Sequence, residues 1–129
     1  MSEKFDLYKC QICGNLVQVM ISGDGELVCC SVPMTHLTPR SDENHELAEK
    51  HIPIIECEEN KKFVRLKYHP MSEEHYIQFI EAYPKDKSCL HVKFLKPNEQ
   101  AEFDISYLEG EVEAVEHCNI HGLWRSKND

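Results

Sequence analysis

Four cysteines fall in two pairs near the start of the chain, "CQIC" at 10–13 and "CC" at 29–30. A Cys-x2-Cys turn lets two thiolates face one ion while backbone N–H groups point at the sulfurs and disperse their charge. With Cys29 and Cys30 added to Cys10 and Cys13, the set suits a tetrahedral all-sulfur site, for which iron and zinc are equally good candidates. The second pair is unusual because its members are adjacent, and neighbours in an extended strand point to opposite faces. Both sulfurs reach one ion only if the backbone kinks there.

A second set is scattered. His51 lies in "EKHIP" (49–53), His69 and His75 bracket "HPMSEEH" (69–75), and "EHCNIHGLW" (116–124) places Cys118 three residues before His121. Imidazole and thiolate are metal donors, and loops at one rim of a rigid scaffold can aim such residues at a shared point. Taken singly, His36, His45 and His91 read as solvated side chains. His117 is discounted because a strand neighbour of Cys118 points the other way. Cys57 and Cys89 sit in strand-like runs and read as small buried hydrophobes. Trp124 reads as a packing residue shielding the edge of the site.

The elements that must position these residues are strands. Residues 1–37 hold four of the seven cysteines. "LVQVM" (16–20) and "GELVCC" (25–30) read there as short strands around the turn "SGDG". A segment of that size is too small to stabilise itself by apolar burial, and a metal is the usual staple. The polar run 38–51 reads as a linker with a helical turn near "ENHELAE". Beyond Ile52, "FVRLKYH", "HYIQFIEAY", "CLHVKFL", "AEFDISYL" and "EVEAVEHC" are β-rich runs separated by Pro, Gly, Asn or Asp. Short strands at regular spacing predict an antiparallel sandwich over 38–129.

Composition narrows the classes. The 129 residues suit one ordinary domain, or one modest domain plus a very small one, and the net charge of −9 speaks against a nucleic-acid binder. No apolar run approaches the ~18 residues of a membrane span. The N-terminus lacks the apolar core of a signal peptide, so a cytoplasmic location is expected. Reducing conditions there disfavour disulfides and bring metal to the front for clustered cysteines.

Three phrases, "EKHIP", "HPMSEEHYI" and "CNIHGLW", together closely resemble desulfoferrodoxin, the two-iron superoxide reductase family. "YKCQICGN" with "GELVCC" is similar to the family's desulforedoxin-like domain. The resemblance covers nearly the whole chain, with the motifs in order. It implies an all-β protein: a desulforedoxin-like domain at 1–37 and an immunoglobulin-like antiparallel β-sandwich at 38–129. It implies two iron ions per chain, one Fe(Cys)4 on Cys10, Cys13, Cys29 and Cys30, and one Fe(His)4(Cys). In the latter, His51, His69, His75 and His121 are the equatorial ligands and Cys118 the axial thiolate.

The implied activity is one-electron reduction of superoxide to hydrogen peroxide without oxygen evolution, with the thiolate pushing electron density through the metal. A rubredoxin-like electron donor and a homodimer are implied as well. Lys50 is the expected cation for steering an anion toward a protein of charge −9, because local charges dominate once distant ones are screened over about 8 Å. Glu49, a hard carboxylate, is the expected ligand of the oxidised iron. The chain departs from the pattern in its short "KKFVRLKYHPM" approach to His69 and in carrying Cys57 and Cys89. The competing readings are an electron-transfer module built on the four-cysteine centre, and a zinc-stabilised structural domain.

Overall fold

The computed structural model describes residues 2–42 and 44–127. The chain divides into two compact units, one running to Thr38 and the other starting at Pro39. In the first unit β1 (Leu7–Lys9) lies between β2 (Leu16–Gln18) and β5 (Thr35–Leu37), antiparallel to both. A two-residue ladder joins β3 (Val28–Cys29) to β4 (Val32–Pro33). Strands this short pair few backbone groups and bury little, as expected of a unit needing another source of stability. The adjacent cysteines show the anticipated kink. Cys30 has φ 53° and Ser31 φ 65°, two consecutive residues in the left-handed region.

The second unit is an immunoglobulin-like antiparallel β-sandwich. After a single helical turn, α1 (Ala48–His51), come β6 (Ile54–Glu58), β7 (Lys61–Arg65), β8 (Ile77–Pro84), β9 (His91–Phe94), β10 (Glu102–Asp104), β11 (Val112–Cys118) and β12 (Gly122–Arg125). One sheet has the order β10-β7-β6, the other β12-β11-β8-β9. Val64 and Leu66 from one side meet Ile77, Ile80, Ala82 and Ala114 from the other in one contiguous core. This is the alternation logic of a sandwich, with inward side chains of facing sheets interlocking. Across the outer face of the smaller sheet, Arg65 bonds Glu56 and Glu58 of β6 and Glu102 of β10, a staple spanning all three strands.

Two expectations need correction. Cys57 and Cys89 are exposed, not buried. Cys57 pairs with Lys62 near the turn end of edge strand β6, and Cys89 lies in the loop before β9, so neither reaches the core. The polar linker is also more structured than its composition suggests. Arg40 N–H bonds Leu123 O at 3.0 Å and Arg125 N–H bonds Arg40 O at 2.8 Å, pinning the segment beside β12.

Candidate metal centres

In the first unit Cys10, Cys13, Cys29 and Cys30 bring their sulfurs together within 4.8 Å. Cys13 Sγ lies 3.6 Å from Cys29 Sγ, and Cys29 Sγ lies 3.9 Å from Cys30 Sγ. Metal–sulfur bonds of about 2.3 Å put the corners of a tetrahedron roughly 3.8 Å apart, so the spacing fits one ion held by four thiolates. The Cys13 N–H points at Cys10 Sγ at 3.5 Å. That bond, with Ile12 N–H, lowers the Cys10 pKa to about 6. Cys30 is pushed up to about 12, chiefly by its contacts with Cys13 and Cys10. Four thiolates at this separation repel one another, and a cation is what lets them ionise together.

The second cluster forms where three loops meet at one end of the sandwich. His51 is delivered by α1, whose one turn buries Ala48 and His51 and leaves Glu49 and Lys50 exposed. His69 and His75 come from the β7–β8 connection. Cys118 and His121 come from the β11–β12 hairpin, whose three-residue loop closes at Gly122 with φ 79°. A positive φ at that position is the usual completion of such a loop and favours glycine. The register between β11 and β8 slips between His117 and Cys118, a β-bulge of the kind that re-aims a strand at a functional site.

Donor atoms of His51, His69, His75 and Cys118 all lie within 4.8 Å of one another. Cys118 Sγ is 3.5 Å from His69 Nε2, and His121 Nδ1 is 3.2 Å from His75 Nε2. His121 also lies against His51, ring centroids 4.8 Å apart. Bonds of about 2.1 Å to nitrogen place adjacent donors about 3 Å apart and opposed donors about 4.2 Å apart, so His51, His69, His75 and Cys118 suit one ion, and His121 stands beside that set against His75 and His51.

The sharpest test of fit is His51. Its Nδ1 donates to Leu47 O at 2.9 Å, which fixes the tautomer and leaves the Nε2 lone pair facing the cluster. That Nε2 is buried without a hydrogen-bond partner among the described residues. A bare buried acceptor is costly unless something binds it, and a metal ion is such a partner.

The electrostatics favour neutral rings. Burial first, then the charges of neighbouring histidines, lowers His51 to about 4 and His69 to about 3. His75 is lowered by the same causes. Neutral imidazole is the ligating form. The positive charge of Lys50 contributes to all three shifts, so its field reaches the cluster. Burial raises the Cys118 thiol, while N–H groups of His121 and Ile120 oppose that shift by bonding the sulfur.

The remaining singled-out residues fall as follows. His117 stacks on Phe79, centroids 5.6 Å apart and planes 6° from parallel, away from the cluster. Trp124 is fully buried and stacks on His51 at 5.3 Å. His45 packs edge-on against Trp124 at 5.8 Å, so it is not simply solvated. One residue escaped the sequence reading. Glu116, two before Cys118, is fully buried with neither carboxylate oxygen bonded among the described residues, and burial pushes its pKa well above the usual carboxylate range. No periodicity marks it, because every residue of β11 from Ala114 to Cys118 is buried.

Such a sandwich with a histidine–cysteine cluster at one end, preceded by a small four-thiolate unit, defines a two-centre metalloprotein of the superoxide reductase fold. The chain belongs to the desulfoferrodoxin family: the Desulfoferrodoxin model matches residues 43–127, and the model of the Desulfoferrodoxin N-terminal domain matches residues 2–37. A desulfoferrodoxin homolog of Archaeoglobus fulgidus is 43% identical over 128 residues, covering 98% of this chain and 99% of the relative. The superoxide reductase of Pyrococcus furiosus is 31% identical over 107 residues, 61% of this chain and 86% of that one. Among solved structures, the superoxide reductase from Treponema pallidum shares the fold with a TM-score of 0.69 at 23% identity, covering 98% of this chain and all of that one.

Proposed function

We propose that this protein is a superoxide reductase with two iron ions per chain, on Cys10, Cys13, Cys29 and Cys30, and on His51, His69, His75, His121 and Cys118. The observation that carries this reading is the buried, unbonded Nε2 of His51 facing three more imidazoles and one thiol. Iron held by that second set would supply the single electron that, with two protons, converts superoxide to hydrogen peroxide.

The protein's own residues do the rest. The imidazoles stay neutral because their surroundings disfavour the charged form. The buried thiol, assisted by two backbone N–H groups, is the electron-rich donor. Lys50 attracts the anion and organises water that delivers protons, and Glu49 beside it would offer its carboxylate to the oxidised ion. The test is metal analysis together with rapid-mixing kinetics. Two iron ions per chain and peroxide formation without oxygen are expected; oxygen evolution, or zinc in both sites, would overturn the assignment.

Lys50→Ala should reduce the second-order rate with superoxide at low salt by roughly three- to tenfold and flatten its salt dependence. An unchanged rate and slope would remove the steering role. Glu49→Ala should leave the ferrous reaction fast but alter the absorption of the ferric form. An unaltered ferric spectrum would remove Glu49 as a ligand.

The same reading includes a homodimer, a rubredoxin-like electron donor and a cytoplasmic location. Exposed Ile12, Met20, Ile21 and Val28 on the first unit supply apolar surface for a second copy. Sedimentation of the holoprotein at a monomer mass would sink the dimer. Seven unpaired thiols suit a reducing compartment. No helix among the described residues is long and apolar enough to cross a membrane.

A further inference from the structure

Asn119 stands between Cys118 and His121, and it is bonded on both sides of a third donor that lies far away in sequence. Its Oδ1 accepts the Tyr76 N–H at 2.9 Å, and its Nδ2 donates to Glu74 O at 3.0 Å. Its backbone N–H donates to Tyr76 O at 3.1 Å. One residue of the hairpin therefore grips the chain immediately before and immediately after His75.

The grip begins where the strand ladder stops. The last β11–β8 pair is Cys118 with Ile77, just past the bulge, and beyond it the Asn119 side chain takes over the pairing that backbone groups made until then. His75 itself is already anchored within its loop: its N–H bonds Ser72, through both O and Oγ, and its carbonyl accepts from Ser72. That internal turn makes the His75 loop a rigid unit, but it does not tie the unit to the hairpin. The bonds of Asn119 make that tie from both sides of His75.

The geometry points to Asn119 as a positioning residue that sets His75 in register with Cys118 and His121. This rests on the reading of the cluster as a metal centre. A rigid loop held at both flanks of one donor leaves that ring little freedom to drift from His121 Nδ1, now 3.2 Å away. Partners that orient ligands from behind typically change metal affinity by about 10–100-fold when removed.

The test uses cobalt(II) as probe on the full chain, because four-thiolate and single-thiolate sites give different absorption bands. Asn119→Ala should weaken cobalt binding at the histidine–cysteine centre by about tenfold or more and shift its thiolate band, with binding at the four-cysteine centre unchanged. Against a His75→Ala background, the same substitution should have little further effect, since it acts through that ring. Equal affinity and an unmoved band, an equal loss at both centres, or additive effects in the double variant would each overturn the proposal. If the alanine variant does not fold, Asn119→Asp replaces it. Aspartate keeps an acceptor for Tyr76 and loses the donor to Glu74, and unchanged cobalt affinity in that variant would likewise overturn the proposal. If the unaltered protein shows no single-thiolate band at all, the metal-centre reading fails instead.

Discussion

Replacing Cys118 with serine is expected to abolish superoxide reduction for practical purposes, lowering the second-order rate by at least about 100-fold. The substitution is close in size, so the effect is chemical. Cys118 is fully buried, and its sulfur lies against His69 Nε2 with N–H groups of Ile120 and His121 turned toward it. Those donors are placed to stabilise a thiolate. A serine hydroxyl does not ionise in the same surroundings, and burial makes its charged form still less favourable. What remains is a neutral hydroxyl among neutral rings, with much less charge to give a bound metal. The thiolate-to-metal absorption of this centre should vanish while the four-cysteine bands persist, because Cys10, Cys13, Cys29 and Cys30 form their own cluster in the other unit. A serine variant reducing superoxide within a few-fold of the original rate would show that the thiolate is not the decisive donor.

Donor residues with unusual spacing were the legible part of this molecule. The adjacent pair Cys29 and Cys30 demanded a kinked backbone, and positive φ at Cys30 and Ser31 provides it. Strands long enough to show a pattern, such as β8 and β11, were found within a few residues. Among the strands of two or three residues, β2, β3 and β10 lay within longer β-rich runs bounded by turn residues, whereas β1, β4 and β5 had no such run around them and went unseen. β12 was hidden because "GLWR" follows a turn too closely to look like an independent run. Exposure of Cys57 and Cys89 depended on which strand became an edge and on where its pairing ended, and pairing is a tertiary outcome. The same holds for Asn119. Its role is set by partners 43 and 45 residues away, which no local pattern announces.

Trp124→Ala should destabilise the sandwich by about 3–5 kcal/mol, a large part of the ~5–15 kcal/mol that holds an ordinary domain together. The side chain is fully buried, and its contacts lie on the cluster's own supports. His51 stacks on the indole at 5.3 Å, and the Arg40 guanidinium lies over it at 4.7 Å. Indole Nε1 donates to His121 O at 3.1 Å, so the ring steadies a second proposed ligand through the backbone. Alanine would open a void beside His51, remove the surface pinning the 39–42 segment, and leave the His121 carbonyl without this donor. Trp124→Phe separates these effects. It keeps an aromatic face for His51 and loses the bond to His121, so a cost of about 1–2 kcal/mol is expected. Urea unfolding followed by circular dichroism measures both, since the chain has no second tryptophan to serve as a fluorophore. The alanine variant should also release metal faster from the histidine–cysteine centre than from the four-cysteine centre. Unfolding midpoints matching the parent, with equal release from both centres, would mean that the indole merely fills space and that His51 is held by α1 alone.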